Sequence, residues 1–415
     1  MKPGDLALYR DLLGADGVEE HAALLLAGAE FGVTLRPGDG EALAAVLAQL
    51  GTHGRSALVR GGGSRVESGN ALRGADVLLA TDRLTGVIEY EAAEGVCLVA
   101  AGTALDELRA IVNAAGWEVP LDPPGPCTTV GGTLAAAAIG PRALGHGLPR
   151  CAVLGLAVAL ASGERTRCGG RVVKNVTGFD MGKLYTGSFG VLGVIESAWL
   201  RLHPLPERRR CFEARASDPE VALRAGLAAS RRAAASAVAV RLPPPAGGAP
   251  TVCVEFAGDA RSVDRDADWL CGEWRAEEAQ ADLVDRVREL QAELPGAGGL
   301  RFRIAALPSR SSVLHARLRA AGAETLAYPG LNVVYAGFSL PQRDPEHAAS
   351  EAFECAARAA AAVGGHAICE RAPGWAKAGR EMFGDVAAQA RLFATLKQGF
   401  DPQGVLNPGL FAGGL

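Results

Sequence analysis

The chain has 415 residues, of which 49% are hydrophobic and 21% are charged. This composition is typical of a globular protein with well-buried cores, and the length predicts two domains. The formal net charge of −4 provides no basic field and excludes nucleic acid as an expected partner. The first residues carry scattered charges without a long apolar run, so we expect no secretory signal.

The nine cysteines are spread singly, and no pair has Cys-x-x-Cys spacing. This spacing predicts neither a disulfide framework nor an iron–sulfur cluster in this chain, and it suggests no metal site. The expected location is therefore the cytoplasm. The most apolar run, at 151–161, is too short to span a bilayer and ends in a Ser-Gly turn, so we interpret it as a buried strand.

The first elements alternate between strand and helix. Residues 31–60 predict a strand, a helix that Asp39 caps and Gly51 ends, and a second strand. Residues 77–102 predict several strands separated by turns. Thr103 and Asp106 then form a Thr-x-x-Asp pattern, which predicts a capping box at the start of the next helix.

Residues 120–142 begin with proline turns and continue through two glycines into a run of small residues. Small residues on a helix allow a close approach to its backbone, although tight helix packing is the favoured explanation of the composition alone. Strands are expected again over 151–203. A Pro-x-Pro pattern and a basic run then predict a domain boundary near residue 206.

The second half mixes helical and strand patterns. Helix is expected over 219–236, and one long amphipathic helix is expected over 264–293. Strands are expected at 251–258, 301–309 and 332–340, and a further helix continues to Gly364. This alternation favours an antiparallel sheet covered by helices, and hence an α+β fold.

The most unusual stretch is the glycine loop, Arg60-Gly61-Gly62-Gly63-Ser64, which follows the strand at 57–59. Consecutive glycines leave backbone N–H groups free to converge on an anion. The loop lacks the Gly-Lys-Ser/Thr of a Walker A loop, and turn residues rather than a helix follow it, unlike a Rossmann fingerprint. By itself the loop is equally consistent with a surface turn.

Four motifs in order change that balance: VRGGGS at 59–64, AAGT at 100–103, TTVGGTLA at 128–135, and the glycine-dense run from 174 to 204. Together they resemble the FAD-binding domain of the vanillyl-alcohol oxidase superfamily, the PCMH-type fold. Within it, DPPGPCTTVGGTLA and GSFGVLGVI resemble the E subunits of bacterial glycolate oxidases. A C-terminal LKQGFDPQGVLNPGLF at 396–411 is also typical of the family.

The resemblance implies a domain plan. A PCMH-type FAD-binding domain of two α+β subdomains is expected over 24–206. An α+β cap or substrate domain, with an antiparallel sheet covered by helices, is expected over 207–385. A C-terminal segment at 386–415 is expected to return to the FAD domain.

The resemblance also implies the cofactor, FAD, and residues that surround it. The glycine loop is expected to hold the pyrophosphate through backbone N–H groups, and other glycines are expected to lie near the flavin. The implied residues are Arg60, Gly61, Gly62, Gly63, Ser64, Thr129, Gly131, Gly132, Gly190, Gly193 and Ile195.

Departures from the family pattern sharpen these expectations. Many relatives attach FAD through a histidine in the glycine loop, whereas this loop has Ser64, so we expect non-covalent FAD. Phe189 stands where related hydroxy-acid enzymes have glutamate, and AAIG at 137–140 replaces their Asn-Ala-Ser-Gly. The metal-binding His-x-Gly-Asp-Gly-Asn motif is absent, which leaves the catalytic base unassigned and no metal expected.

Single residues offer weaker candidates for the substrate half. Each isolated histidine is better explained as structural, with His366 the best exception because it lies in a matched segment before Glu370 and Arg371. Arg301 and Arg303 have the charge to bind a substrate carboxylate, but outward arginines on an edge strand are the favoured interpretation. The Asn175–Thr177 glycosylation sequon is dismissed for a cytoplasmic chain.

The leading hypothesis is a flavin subunit of a glycolate-oxidase-like complex that oxidises a small 2-hydroxy acid. A second flavin subunit and an iron–sulfur subunit are the implied partners, and any membrane association would come through them. An independent FAD oxidoreductase and a non-catalytic assembly or electron-relay subunit stay open. An NAD(P)H-dependent reductase of this fold is disfavoured by the Asn-Pro-Gly at 407–409.

Overall fold

The computed structural model describes residues 3–172, 179–245, 247–296 and 298–415. The Asn175–Thr177 sequon and part of the glycine-dense run lie outside these residues. The described chain has a mixed α+β architecture built around three main sheets. No described helix combines the length and the apolar character needed to cross a bilayer.

The first sheet contains four strands in the order β1-β2-β4-β3, and β3 pairs with β4 in parallel. Asp39 caps α2 as expected, because its carboxylate accepts a hydrogen bond of 2.8 Å from the Ala42 amide. Strand β3 lies at the sheet edge, and the glycine loop continues from its carboxyl end. The elements are α1 Pro3–Leu13, β1 Val18–Leu26, β2 Ala29–Leu35, α2 Gly40–Thr52, β3 Ala57–Arg60 and β4 Val77–Ala80.

The second sheet contains five antiparallel strands in the order β5-β6-β10-β8-β9, and helices cover one face. The expected buried strand at 151–161 is confirmed as β8. The elements are β5 Val87–Glu91, β6 Val96–Ala100, α3 Leu105–Asn113, β7 Trp117–Glu118, α4 Val130–Ala136, α5 Ala143–His146, α6 Pro149–Ala152, β8 Val153–Ala159, β9 Arg165–Gly169, α7 Met181–Tyr185, β10 Val194–Arg201 and β11 His203–Pro204.

The capping box expected at Thr103 and Asp106 is wrong. Helix α3 begins without a side-chain cap, and the Thr103 hydroxyl instead accepts a hydrogen bond of 2.9 Å from the Gly86 amide. The Thr103 hydroxyl therefore binds the backbone of Gly86 instead of capping the helix, as the local pattern had predicted.

The third sheet, which we call the cap, contains eight strands in the order β15-β12-β14-β13-β17-β18-β16-β19. Every neighbouring pair in it is antiparallel, helices cover one face, and the helix Leu283–Glu293 packs on the other. The elements are β12 Arg208–Arg215, α8 Pro219–Ala229, β13 Ala235–Leu242, β14 Thr251–Gly258, α9 Ala260–Trp274, β15 Glu277–Ala279, α10 Leu283–Glu293, β16 Leu300–Ala305, α11 Ser311–Ala320, β17 Glu324–Tyr328, β18 Val333–Phe338, α12 Pro345–Ala361 and β19 His366–Arg371.

The single long helix expected over 264–293 is wrong. Arg275 takes a left-handed conformation (φ 54°) that ends α9, and Glu277–Ala279 then pairs with β12 before α10 begins. Amphipathic periodicity continues on both sides, and Gly272 lies inside the last turn of α9 rather than at the break, so the local pattern does not predict a stop at Arg275. The pairing of β15 with a distant strand decides the interruption.

A buried ion-pair cluster joins the cap to the first half of the chain. Arg142, which precedes α5, contacts Glu255 of β14 through Nε and Nη2 at 3.1 and 2.8 Å, and Asp285 of α10 through Nη1 at 2.6 Å. Burial opposes the charge on Arg142, but the two carboxylates raise its pKa above its usual value. The chain ends with α13 Gly374–Lys377 and α14 Ala390–Phe400.

Candidate functional site

The glycine loop presents backbone N–H groups without protein partners. Across the described residues, none of the amides from Gly61 to Arg65 donates a hydrogen bond to the protein. Gly63 has φ +88°, a conformation that favours glycine and tightens the turn. The Arg60 Nε atom is buried and, within the same described set, has no hydrogen-bond partner. A strand end with free amides and an unsatisfied guanidinium nitrogen is suited to binding a multiply charged anion.

Two of these glycines are also required by contacts within the protein. A Cβ on Gly62 would lie 1.6 Å from the carbonyl oxygen of Cys127, and one on Gly61 would lie 2.6 Å from the Thr129 hydroxyl. The glycine loop is therefore pressed against the segment that leads into α4. These contacts fix the distance between the loop amides and the segment at 127–129.

The segment that begins α4 places Thr129, Gly131 and Gly132 beside the glycine loop. The Thr129 side chain caps the helix by accepting a hydrogen bond of 3.2 Å from the Gly132 amide. The Gly131 amide donates to Ala101 at 2.7 Å, and a Cβ there would lie 2.7 Å from the Ala101 methyl group. The structure thus brings these three predicted residues together with the loop.

The glycine-dense loop at 187–193 lies against the other end of α4. The amides of Gly187 and Phe189 donate to the carbonyl groups of Leu134 and Ala135, each at 2.9 Å. Gly190 has φ +70°, and a Cβ there would lie 2.9 Å from the Asn407 side-chain nitrogen. This loop therefore forms one wall of the region around α4.

Gly193 and Ile195 occupy more internal positions. A Cβ on Gly193 would lie 2.6 Å from a methyl group of Val158, and Ile195 is buried in the core of the second sheet. Strand packing alone therefore accounts for both residue types.

A cluster of three arginines around one glutamate lies between the glycine loop and the cap. Glu370 of β19 contacts Arg303 at 3.0 Å and Arg301 at 3.5 Å, both through the Nε atom. Arg65, directly after the glycine loop, lines the same small cavity together with Arg303, Glu370 and Tyr335. Ala136–Ile139 and Phe189 form the side of this cavity that belongs to the first half of the chain.

The expectation of outward arginines on an edge strand is wrong. Strand β16 is internal, because it pairs with β18 on one side and β19 on the other. Arg301 is only 3% exposed and donates to the carbonyl groups of Gln291 and Ala292 at the end of α10, at 2.7 and 2.9 Å. Arg303 and Glu370 therefore face the cavity rather than solvent.

The electrostatics of this cluster favour a bound anion. Burial alone would raise the pKa of the Glu370 carboxyl, but Arg303, Arg301 and Arg65 lower it below its usual value. Burial lowers the pKa of the Arg65 guanidinium. With Glu370 ionised, the lining residues Arg65 and Arg303 leave one net positive charge at the cavity, which suits a carboxylate ligand.

His366 does not join this cluster. Its Nε2 atom is 2.7 Å from the carbonyl oxygen of Phe383, at the opposite end of β19 from Glu370. None of the described residues that line the cavity is a histidine. Over the described part of the chain, no group of three or more His, Cys, Asp or Glu side chains is arranged to hold a metal ion.

Sequence reasoning missed Tyr335 and Gln291, and it considered Arg65 only as a charge for a phosphate at the glycine loop. The Gln291 side chain, 1% exposed, donates to the carbonyl of Ile139 at 3.0 Å and accepts from the Tyr328 hydroxyl at 2.7 Å. It thereby ties α10 of the cap to the small-residue segment. The place of Arg65 directly after the glycine loop is a local signal, whereas no local pattern indicates the other two.

The comparisons with known proteins agree with this geometry. A family model described as an FAD binding domain matches residues 32–169. The cofactor of this domain is FAD. The unpaired loop amides and the unsatisfied nitrogen of Arg60 fit the pyrophosphate of such a dinucleotide.

Relatives with known names match part of the chain. The D-lactate dehydrogenase of Archaeoglobus fulgidus is 34% identical over 176 residues, which cover 42% of this chain and 40% of that protein. The glycolate oxidase subunit GlcE of Escherichia coli is 33% identical over 151 residues, which cover 36% of this chain and 43% of that protein. The chain therefore matches about two fifths of the length of these relatives.

Solved structures match nearly all of the chain. Alkyldihydroxyacetonephosphate synthase superposes with a TM-score of 0.76 at 13% identity, over 98% of this chain and 86% of that one. p-Cresol methylhydroxylase superposes with a TM-score of 0.75 at 15% identity, over 99% of this chain and 97% of that one. The predicted PCMH-type α+β fold is thereby confirmed, including its cap.

Proposed function

We propose that this chain is an FAD-dependent oxidoreductase that acts on a small 2-hydroxy acid within a glycolate-oxidase-like complex. The observation that carries the proposal is the convergence of Arg65, Arg303 and Glu370 beside the FAD domain, where an excess of positive charge lines a cavity. A 2-hydroxy acid offers the carboxylate that such a pair of arginines binds. The names of the relatives, D-lactate dehydrogenase and glycolate oxidase subunit, supply the same substrate class.

In this proposal the glycine loop holds FAD. The amides of Gly61, Gly62, Gly63 and Ser64 point their hydrogens at the pyrophosphate, and Arg60 offsets part of its charge. Thr129, Gly131, Gly132 and Gly190 shape the neighbouring walls, while Gly193 and Ile195 support them from the second sheet. Ser64 offers no imidazole for a covalent link, so the cofactor is non-covalent.

Oxidation of the 2-hydroxy acid yields a 2-oxo acid, two electrons and two protons. When bound, FAD supplies the hydride acceptor. The chain contributes by binding the carboxylate between Arg65 and Arg303, and Glu370 keeps the Arg303 side chain oriented toward it. The cap closes over this site and excludes water. Electrons then leave for an iron–sulfur subunit, and a second flavin subunit completes the proposed complex.

A second candidate function is electron relay or assembly without catalysis in this chain. It is favoured by the titratable groups at the cavity: Glu370 is the only carboxylate among the described lining residues, and its pKa is lowered. A general base works best when its pKa lies near the operating pH, so Glu370 is poorly suited to accept the hydroxyl proton at neutral pH. In this case a partner flavin subunit would oxidise the acid.

Anaerobic flavin bleaching tests both candidates. The isolated chain loaded with FAD is mixed with glycolate, D-lactate and L-lactate, and absorbance near the flavin band is followed. Bleaching by the chain alone supports an independent or intrinsic catalytic role, and bleaching that requires the partner subunits supports the relay. A purified chain that stays colourless and fails to bind added FAD refutes the proposal outright.

An acid-precipitation experiment tests the non-covalent cofactor separately. Denaturation with trichloroacetic acid is expected to leave all of the yellow colour in the supernatant. Colour retained in the washed pellet would contradict it.

A further inference from the structure

The C-terminal segment, residues 386–415, contacts both the end of β3 and the loop at 187–193 through a single side chain. Asn407 is 2% exposed, and its side-chain oxygen accepts a hydrogen bond of 2.7 Å from the Val59 amide, directly before the glycine loop. Its side-chain nitrogen donates at 2.7 Å to the carbonyl of Phe189, in the loop at 187–193. One carboxamide thus bridges the end of β3 and the loop at 187–193, through residues that lie 130 positions apart in sequence.

The bridge to β3 replaces a missing strand neighbour. Because β3 is an edge strand, its outer amides need other partners. The Ala57 amide donates to the Val405 carbonyl at 2.7 Å, and the Asn407 amide donates back to Ala57 at 2.9 Å. The segment then turns away at Asn407, where φ is +46°, and its side chain takes over as the acceptor for Val59. Asparagine tolerates this left-handed conformation better than most residues.

A buried lysine makes a second connection to the same loop. The Lys397 ammonium donates to the carbonyl of Val191 at 3.0 Å and to that of Leu406 at 2.9 Å, and it pairs with Asp401 at 2.6 Å. Asp401 in turn accepts hydrogen bonds from the amides of Val405 and Leu406. The turn at 401–407 is therefore rigid, which allows Asn407 to hold its two partners at a fixed separation.

We propose that Asn407 is a positioning residue for the FAD site, which sets the spacing between the glycine loop and the loop at 187–193. In this role its carboxamide acts through the backbone groups of Val59 and Phe189 rather than by contacting the cofactor. The inference rests on the proposed placement of FAD between these loops. The bridge requires a side chain that donates one hydrogen bond and accepts another, which asparagine does and an ionised aspartate does not.

The test compares Asn407→Asp with Val405→Ala. The aspartate keeps the acceptor for Val59 but loses the donor to Phe189 and places a negative charge beside that carbonyl. Val405 is buried in the same segment and uses only backbone groups toward Ala57, so its truncation weakens packing while leaving the bridge intact. FAD dissociation constants and apoprotein melting temperatures are measured for both variants and the parent.

We expect Asn407→Asp to weaken FAD binding by about tenfold or more, as loss of one hydrogen bond and addition of a repulsive contact imply. Val405→Ala should lower the melting temperature but change the dissociation constant by less than about twofold. If the two variants lose FAD affinity equally when their melting temperatures fall equally, the role of Asn407 is only structural. That result would overturn the inference. Failure of the parent chain to bind FAD would instead refute the proposed function.

Hydrogen exchange of the unmodified chain covers the case in which Asn407→Asp does not fold. Coupling between sites is reciprocal, so FAD must slow exchange at the Val59 and Asn407 amides if this bridge supports its binding. The expected slowing exceeds that of amides in β12 of the cap. Slowing confined to the glycine loop, without any change at Asn407, would contradict the inference.

Discussion

Replacing Gly62 with alanine adds a methyl group where the loop has no room. The new Cβ would lie 1.6 Å from the carbonyl oxygen of Cys127 and 2.8 Å from its carbonyl carbon. Both are backbone atoms, so no side chain can rotate away. An ordinary contact distance of about 3.5 Å requires the loop to retreat by about 2 Å.

A retreat of this size removes the loop amides from hydrogen-bonding distance of a fixed phosphate, since such bonds span about 2.7–3.2 Å. Each hydrogen bond to a charged group contributes about 1.5–3 kcal/mol. Loss of two of them corresponds to at least a hundredfold weaker FAD binding, because about 1.4 kcal/mol is a tenfold change. Fluorescence titration of the apoprotein with FAD measures the effect directly.

Gly63→Ala is the matched control within the same loop. Its Cβ would meet only the Arg60 side chain at 3.7 Å, so the alanine introduces left-handed backbone strain of about 1–2 kcal/mol without a backbone clash. We expect lower thermal stability and a change in FAD affinity of less than tenfold. If Gly62→Ala binds FAD as tightly as the parent, or if both variants weaken it equally, the close approach to Cys127 does not control the amides.

Three further predictions concern ionisable side chains that the fold buries in whole or in part. Arg303→Gln should raise KM for the hydroxy acid by about 30-fold or more with little change in FAD affinity, and steady-state kinetics that leave KM unchanged would contradict carboxylate binding there. Arg142→Met leaves Glu255 buried without its main partner and should lower the free energy of unfolding by about 3–5 kcal/mol in urea titrations, whereas a loss below about 1 kcal/mol would mean that the pair does not anchor the cap. Burial lowers the pKa of His315 from 6.5 to about 3, so the unfolded chain takes up a proton that the folded chain refuses, and stability should fall as pH drops from about 6.5 toward 3. His315→Gln should show a shallower decline by up to about 1.4 kcal/mol per pH unit, and identical acid profiles would refute the assignment.

The order of short motifs along the chain was sufficient to predict the PCMH-type fold and FAD. Glycines in the loop at 60–64, the Thr129 segment and the small residues after it are local features, and each has a local physical reason that a reader can identify. Asp39 is similar, because a helix cap depends on residues a few positions apart. These features survive in the structure because little outside their neighbourhood competes with them.

Elements whose partners are distant in sequence could not be predicted in the same way. The Thr103 hydroxyl turns to Gly86, and β15 interrupts an otherwise helical pattern by pairing with β12. Strand β16 was interpreted as an edge strand because its own residues do not indicate its pairing with β19, which lies more than 60 positions later. Arg303 therefore faces a cavity instead of water, and Arg301 donates to carbonyl groups of α10.

The sequence by itself thus indicated the fold class and the kind of cofactor, because the order of its motifs resembles that of the PCMH-type family. The tertiary structure alone decided the cluster of arginines around Glu370 and the C-terminal bridge. Arg65, Arg303 and Glu370 come from three separate segments, and Asn407 meets Val59 and Phe189 only after the chain has folded. Charge and hydrogen-bonding complementarity between such segments depends on strand order and packing, which no local pattern records.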